Sequence, residues 1–180
     1  EKNPQEGLGL LQELRSLSRG ALAEMRTLLL ELRPAALLET SLPNLLRQLG
    51  EAASGKEGIP VTVQVDGNAD LPPDVHIALY RILQEALNNI VKHARARHVS
   101  LRLAYSADAQ PCEPGLCVTL AICDDGRGFD PAAVSHERLG LGIMQERAQA
   151  IGAKLTIQSQ PGQGTQVTVV WKQAKPQEVI

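Results

Sequence analysis

The spacing of apolar residues changes near Ile59, and no other feature of the sequence constrains the fold so strongly. Before this position, leucines recur every three or four residues, a spacing typical of amphipathic helices. After it, Val61, Val63 and Val65 alternate with polar residues, as in a half-buried β-strand. The chain is therefore predicted to combine a helical segment with a region of mixed strands and helices.

Residues 8–33 are predicted to form one long helix that ends before Pro34, because the residue preceding a proline avoids helical backbone angles. The apolar residues of this helix form two adjacent stripes, and so wide an apolar arc needs more than one neighbour. One stripe consists of Leu22, Met25, Leu29 and Leu32. The helix could pack in the core of a single domain or belong to an oligomeric bundle, and the pattern favours the bundle.

A second helix is predicted after Pro43, which stands where a proline in the first helical turn would stand. Residues 52–58 indicate the end of this helix and a turn. The boundary between the helical segment and a globular domain is therefore expected in this part of the chain. We divide the chain into residues 1–55, a helical region with its connector, and residues 56–180, a second domain.

Five strands and two further helices are predicted in the second domain. The helices cover Pro72 to about Ala96 and residues 140–151. The strands contain residues 61–65, 99–103, 116–123, 155–158 and 166–171. Residues 116–123 are the most continuously apolar, so this strand is expected at the centre of the sheet. Helices packed against a mixed or antiparallel sheet of about five strands form an α+β sandwich.

The composition excludes several classes of protein. The 18 basic and 20 acidic residues leave a formal net charge of −2, which gives no overall attraction to nucleic acid or anionic membranes. One Phe, one Trp and two Tyr are too few for a surface that stacks single-stranded bases. The apolar runs are too short to span a bilayer. The three cysteines lack paired spacing, which predicts reduced intracellular thiols.

One predicted helix carries polar residues opposite its apolar face. They are Glu85, Asn88, Asn89 and Lys92, with His93 at the edge of the group. Side chains three or four residues apart on a helix lie over one another, so a carboxylate, an amide and an ammonium group form one column. Such groups suit Mg²⁺ and phosphate. An ordinary solvated helix face would look the same, although two adjacent asparagines inside a helix are unfavourable.

Three glycine-containing loops follow that helix. The first, residues 124–129, places a carboxylate at a strand end, where it could accept a hydrogen bond from an amine such as that of adenine. The second, residues 139–143, opens a helix whose free N–H groups could hold an anion. The third, residues 162–165, could be a simple hairpin turn. Each loop taken alone is weak evidence for a binding site.

Together and in this order, the four elements resemble the ATP-binding domain of the GHKL superfamily, which unites gyrase, histidine kinases and the mismatch-repair ATPases. Residues 84–98 and 139–148 look more specifically like sensor histidine kinases of the nitrate-sensor and desaturase-sensor subfamily. Residues 21–34 resemble the second helix of the dimerisation and phosphotransfer domain of that subfamily. The resemblance covers nearly the whole chain from about residue 10 and implies the GHKL (Bergerat-type) ATP-binding sandwich.

The resemblance also implies a role for each candidate residue. Glu85 matches the catalytic acidic residue, Asn89 the Mg²⁺ ligand and Asp124 the residue that reads adenine. Thr165 matches the residue that supports Asp124. The residues implied to bind Mg²⁺ and ATP are Asn88, Asn89, Lys92, His93, Asp124, Gly126, Gly128, Gly140, Leu141, Gly142 and Thr165.

One element of the subfamily pattern has no counterpart in this chain. The subfamily carries a phospho-accepting histidine, followed by an acid, on a first helix that would precede residue 1. Because the chain begins with Glu1 rather than Met, we expect it to be a piece of a longer protein. This piece is expected in the cytoplasm, with a sensor domain and any membrane segment outside it.

The four histidines of the chain are not expected to accept phosphate. His76 is predicted to be structural, His93 to face the nucleotide and His98 to begin a strand. His136 is followed by an acid, as a true acceptor is, but it falls in a short lid predicted at residues 129–139. A lid residue cannot be held in line for phosphoryl transfer as a docked helix can.

The resemblance implies that this chain is the catalytic part of a two-component sensor histidine kinase, and that the kinase acts as a homodimer. Such an enzyme moves the γ-phosphoryl group of Mg-ATP to a histidine and then to an aspartate of a response regulator. Two alternatives remain open. A serine-kinase anti-sigma factor would share the ATP-binding fold but would not need the helix at 8–33. A non-enzymatic, nucleotide-gated interaction module would not need intact Glu85, Asn89 and Asp124.

Overall fold

The computed structural model describes residues 37–106, 116–130 and 139–173. It also describes four single helical positions, Leu14, Ser18, Leu22 and Met25. Within these residues, helices cover one face of a five-stranded mixed sheet. The predicted α+β class is therefore confirmed.

The sheet has its most apolar strand at the centre. Its strands are β1 (Val61–Asp66), β2 (Val99–Ser106), β3 (Cys117–Asp124), β4 (Lys154–Ser159) and β5 (Thr165–Lys172). Their order is β1-β2-β3-β5-β4. β1 pairs with β2 in parallel, and the other neighbouring strands are antiparallel. β3 is thus the middle strand, as its continuously apolar sequence predicts.

Three α-helices pack on the inner face of the sheet. They are α1 (Leu42–Glu57), α2 (Pro73–Asn89) and α3 (Leu139–Ala150). The predicted apolar face of α2, including Leu79, Leu83 and Leu87, is buried in the core. Burying one leucine side chain contributes about 1.5–3 kcal/mol relative to leaving it exposed. This face therefore decides which side of α2 meets the sheet and which side is available to a site.

The helix predicted from Pro72 to about Ala96 ends near the expected residue, but it is α-helical only as far as Asn89. The last turn, Ile90–Ala94, is a π-helix, and Arg95 follows with a left-handed φ of 54°. A π-turn contains more residues than an α-turn, so side chains beyond Asn89 no longer follow the spacing of three or four residues. The predicted column from Glu85 to the residues after Asn89 is interrupted for this reason.

α1 ends within the predicted residues 52–58 and belongs to the same core as the sheet. Residues 52–57 are helical, and the turn is confined to Gly58, whose φ of 67° suits glycine. Leu45 and Leu46 are fully buried beside residues of the sheet. The division of the chain at residue 55 stays a prediction.

Several predicted features lie outside the described residues. They include most of the helix at 8–33, the lid residues 131–138 and His136. The described positions of the N-terminal segment are helical, and the side chains of Leu22 and Met25 there are more than half exposed.

Candidate functional site

A cavity of about 440 Å³ opens between α2 with its π-turn, the start of α3, and β3 and β5. This volume is typical of small-molecule sites, and most of the lining is apolar. The predicted site residues that line it are Asn89, His93, Asp124, Gly128, Gly140, Leu141 and Thr165. The fold thus brings together residues from all four elements that the sequence singled out.

Asp124, the last residue of β3, places a buried carboxylate in this cavity. Its side chain is 9% exposed, and within the described ranges it is the one charged or polar side chain classed as buried. Its Oδ1 atom accepts a hydrogen bond of 2.8 Å from the N–H of Gly126. Thr165, its partner in the β3–β5 register, also hydrogen-bonds to it through the backbone and the hydroxyl group.

Burial raises the pKa of Asp124 above its ordinary value, because removing the carboxylate from water costs more than these hydrogen bonds return. The nearby charge of Asp125 acts in the same direction. A buried carboxylate in an apolar cavity can accept hydrogen bonds from the N–H groups of a ligand. Asp124 therefore offers a hydrogen-bond acceptor to a ligand in the cavity.

Gly126 and Gly128 allow the loop after β3 to pack against two other backbone segments. A Cβ on Gly126 would overlap with the carbonyl oxygen of Ala94, and the N–H of Arg127 donates to that same carbonyl at 2.7 Å. A Cβ on Gly128 would overlap with the carbonyl oxygen of Gln160, and its φ of 56° is left-handed. Both positions need glycine for close backbone approach, and only Gly128 lines the cavity.

Ser159, at the end of β4, joins three segments around the cavity. Its Oγ atom accepts a hydrogen bond of 2.9 Å from the N–H of Phe129 and donates one of 2.9 Å to the carbonyl of Gly164. It also lies 3.0 Å from the hydroxyl oxygen of Thr165. The sequence analysis missed this residue, because a single serine at a strand end forms no pattern.

The polar residues of α2 divide into two groups. Asn89 and His93 line the cavity. Glu85 does not line it, but its Oε1 atom lies against Gly140 at the start of α3. Lys92 is exposed on the π-turn outside the lining, and Asn88 is half-buried outside it. The π-turn moves Lys92 away from α-helical spacing, whereas Glu85 and Asn88 precede this turn.

The start of α3 contributes two of its predicted residues to the cavity. Gly140 and Leu141 line it, whereas Gly142 is exposed and has no described atom within 4 Å of an added Cβ. The first N–H groups of a helix lack partners within the helix and can bind an anion. Gly140 and Leu141 therefore place this end of α3 at the cavity.

Sequence periodicity predicts only part of the apolar lining of the cavity. Ile122 and Val167 lie two residues before Asp124 and two after Thr165, so strand alternation directs them to the same side of the sheet. Met144 lies one turn after Gly140 on α3 and is almost fully buried. Periodicity places all three in the core, but it does not show that a cavity opens beside them.

Two negative observations concern the described residues. None of the described helices combines the length and the apolar character needed to cross a membrane. Within residues 37–106, 116–130 and 139–173, no three His, Cys, Asp or Glu side chains are grouped so that they could hold a metal ion.

The curated proteins similar to this chain are sensor histidine kinases. The chain is 37% identical to an uncharacterized sensor-like histidine kinase of Chloroflexus aurantiacus, over 94% of this chain and 28% of that protein. It is 32% identical to the histidine-protein kinase/phosphatase DegS of Brevibacillus brevis, over 94% of this chain and 42% of that protein. It is 34% identical to the sensor histidine kinase LiaS of Bacillus subtilis, over 81% of this chain and 38% of that protein. The chain thus spans less than half the length of these relatives.

Solved structures show the same fold. The histidine kinase domain of a blue-light activated kinase from Erythrobacter litoralis superposes with a TM-score of 0.53 at 27% identity, over 70% of this chain and 59% of that one. The mycobacterial sensor histidine kinase MprB superposes with a TM-score of 0.54 at 21% identity, over 74% of this chain and 95% of that one.

The family comparison matches residues 74–175, a range that contains α2, all three glycine loops and every residue lining the cavity. The resemblance inferred from the motifs is confirmed by this match and by the relatives. The chain belongs to the family of histidine kinase-, DNA gyrase B-, and HSP90-like ATPases.

Proposed function

We propose that this chain is the ATP-binding catalytic portion of a two-component sensor histidine kinase. The observation that carries the proposal is Asp124, a buried carboxylate in an apolar cavity of suitable size. The curated relatives that are sensor histidine kinases support it. The whole protein would transfer the γ-phosphoryl group of ATP to a histidine, and then to an aspartate of a response regulator.

Adenine recognition would rest on one polar group and an apolar wall. Asp124 would accept a hydrogen bond from the exocyclic amine of adenine, a donor that guanine lacks at this position. Ile122, Met144 and Val167 would pack against the faces of the base. Thr165 and Gly126 would hold the carboxylate in place through their hydrogen bonds.

The residues at the other side of the cavity fit a magnesium-bound phosphate chain. No cluster of metal-ligating side chains occurs in the described residues, and Mg²⁺ in nucleotide sites typically needs only one or two protein oxygens beside phosphate and water. Asn89 would supply an amide oxygen, and the N–H groups at the start of α3 would meet the phosphates. When bound, Mg²⁺ would neutralise part of the phosphate charge.

The remaining polar residues of α2 would act from outside the cavity. Glu85 lies against Gly140 and would act on the acceptor histidine when a helix of the kinase brings that residue to this edge. Lys92 is exposed and would meet phosphate only after its side chain turns inward. Asn88 and Gly142 would contact the nucleotide only in a more closed arrangement of α2 and α3.

The N-terminal part of the chain would assemble the kinase. We assign residues 1–55 to the dimerisation region and its connector, and residues 56–180 to the ATP-binding domain. In the whole protein, two copies would form a four-helix bundle in which residues 8–33 supply the second helix of each chain. Because ATP is the substrate, we place this part of the protein in the cytoplasm.

The positions of the described histidines argue against each of them as the phosphate acceptor. The ring of His76 has a buried nitrogen, Nε2, within the fold. His93 lines the nucleotide cavity. His98 comes just before β2, and its Nε2 atom lies 2.8 Å from the hydroxyl oxygen of Thr62. The acceptor is therefore proposed to lie on a separate helix.

Incubation of the chain with radiolabelled Mg-ATP tests the proposal. We expect ADP and ATP to bind by calorimetry, but no acid-labile, base-stable phosphate on the chain alone. Adding a separate helical hairpin with the subfamily's acceptor histidine should allow transfer in trans. Absence of adenine nucleotide binding would overturn the proposed function, and phosphohistidine on the chain alone would overturn the assignment of the acceptor.

A further inference from the structure

Asp125, the residue after Asp124, has a defined structural role at the edge of the cavity. Its side chain is exposed and does not line the cavity. Its Oδ1 atom accepts hydrogen bonds from two backbone N–H groups, that of Arg97 at 2.7 Å and that of His98 at 2.8 Å. The bonds from His98 and Arg97 favour the charged carboxylate and lower the pKa of Asp125.

Both N–H groups belong to the turn formed by residues 94–98, which connects the π-helix to β2. This turn contains Arg95, the one non-glycine residue with a positive φ in the described ranges. Left-handed backbone at a residue with a Cβ persists where surrounding contacts impose it. Here contacts lie on both sides of Arg95. The N–H of Arg127 donates to the carbonyl of Ala94 at 2.7 Å, and Asp125 receives the two N–H groups beyond Arg95.

The two segments that Asp125 joins form two walls of the cavity. His93 and Ala94 line it from the helical side, and Asp124 and Arg127 line it from the loop after β3. The backbone of Asp125 adds a third link, because its N–H donates to the carbonyl of His98 at 3.3 Å. Asp125 thus joins the segment that carries Asp124 to the turn that follows His93 and Ala94.

We infer that Asp125 is a positioning residue for adenine recognition. It acts through Asp124 and the turn at 94–98, and it does not touch the nucleotide. This inference rests on the proposed function, in which Asp124 reads the base. Because the carboxylate of Asp125 is exposed, water can reach the amides of Arg97 and His98 when that carboxylate is removed. We therefore expect the turn at 94–98 to loosen while the domain stays folded.

Nucleotide affinities of four proteins test this inference: the wild-type chain, Asp125→Ala, Asp125→Asn and Asp70→Ala. For Asp125→Ala we expect ADP affinity to fall about five- to tenfold, as the loss of the hydrogen bonds that hold the turn predicts. Affinity for GDP should fall less than affinity for ADP, so the ratio of ADP affinity to GDP affinity should decrease.

Asp125→Asn should restore both affinities, because an amide oxygen can accept hydrogen bonds from the same two N–H groups. Asp70→Ala removes an equal charge from an exposed position away from the cavity and should change neither affinity.

The outcomes separate this inference from the proposed function. If wild-type protein binds ADP and Asp125→Ala keeps both affinities, the positioning role is overturned and the proposed function stands. An Asp125→Asn variant as weak as Asp125→Ala would also overturn it, since charge alone would then be the cause. If wild-type protein does not bind ADP, the proposed function fails, and the positioning role fails with it.

Hydrogen exchange of the wild-type chain gives a second test that needs no variant to fold. ADP should slow exchange of the amides of Arg97 and His98 several-fold, because it holds together the walls that these amides join. Unchanged exchange at both amides in the presence of saturating ADP would overturn the inference.

Discussion

A Cβ atom on Gly140 would overlap with the carboxylate oxygen Oε1 of Glu85, so an alanine at position 140 requires the end of the Glu85 side chain to move. The amide nitrogen of Asn89 lies 3.3 Å from the same Cβ position. This contact joins the residues proposed for catalysis and for Mg²⁺ binding to the helix start proposed to meet the phosphates. Gly140 therefore lies between the cavity and the carboxylate of Glu85.

The two glycines of α3 should respond differently to alanine. Gly140→Ala should leave the free energy of unfolding nearly unchanged, because the better helix propensity of alanine is offset by the cost of moving the carboxylate end of Glu85 away from the new Cβ atom. Gly142→Ala meets no atom within 4 Å and should raise stability by roughly 0.5–1 kcal/mol, because alanine is the better helix former. Urea titration measures both values. Equal effects of the two substitutions would show that moving the carboxylate end of Glu85 costs no stability.

Asp124→Asn should weaken nucleotide binding while making the unliganded domain more stable. A hydrogen bond to a buried charge contributes about 1.5–3 kcal/mol, so ADP affinity should fall about tenfold or more. A carboxyl group whose pKa is raised by burial is destabilising when ionised, so its replacement by an amide should raise the unfolding free energy at pH 7.

Calorimetry with ADP and thermal unfolding without ligand check the two parts of this prediction. The benefit of the substitution should shrink as the pH falls through the raised pKa of Asp124, because the wild-type carboxyl group is then neutral in the fold. Asp70→Asn, at an exposed position, is the control. Unchanged ADP affinity would remove Asp124 from base recognition, and lower stability would show that its charge supports the fold.

Substitution of Asn89 should affect Mg²⁺ binding, and substitution of Glu85 should affect phosphotransfer. Asn89→Ala should abolish the difference in ATP affinity between buffers with Mg²⁺ and with a chelator, because it removes the amide oxygen at the cavity. Glu85→Gln should leave ATP affinity nearly unchanged, since Glu85 does not line the cavity, and it should reduce phosphotransfer in the full-length kinase. The reverse pattern would mean that the assigned roles are exchanged.

The N-terminal helix should cause weak, concentration-dependent self-association. Leu14, Leu22 and Met25 are 62%, 53% and 62% exposed, and they lie at helical spacing along one side. Replacing Leu22 and Met25 together by aspartate should reduce association in sedimentation experiments. Leu38→Asp, at another exposed leucine, is the matched control. A strict monomer at high concentration, or a tight dimer that survives deletion of residues 1–33, would contradict this prediction.

His76 should make the domain less stable as the solution becomes mildly acidic. Its Nε2 atom is buried with no hydrogen-bond partner, and burial lowers the pKa of the ring below the ordinary value of 6.5. The unfolded chain therefore binds the proton more readily than the folded domain. Stability contributed by neutral His76 is present above pH 6.5 and is lost as the pH falls from there towards the lowered pKa, with a slope of at most about 1.4 kcal/mol per pH unit.

Urea unfolding between pH 7.5 and pH 5 compares wild-type protein with His76→Gln, whose side chain does not titrate. The stability of the wild-type protein relative to this variant should decrease as the pH falls. A constant difference over this range would show that the His76 ring finds a partner for its proton in the folded state.

The sequence by itself determined the features that depend on local periodicity. The α+β class, the positions of the strands along the chain and the central place of β3 follow from the alternation of apolar residues and from its change near Ile59. The glycine loops and Asp124 were also recognisable, because their spacing matches a known family and because each lies within a few residues of a strand or helix end. These features require no information about which distant segments meet.

Only the tertiary structure decided how the site is assembled. The π-turn at Ile90–Ala94 separates Lys92 from the cavity lining, although α-helical spacing places it beside Asn89. Gly140 meets Glu85, and Ser159 joins Phe129 to Gly164, across long stretches of chain. Such contacts depend on the packing of helices against the sheet to within fractions of an ångström. Periodicity shows which face of an element is buried, but it does not show which atom of a distant segment lies against that face.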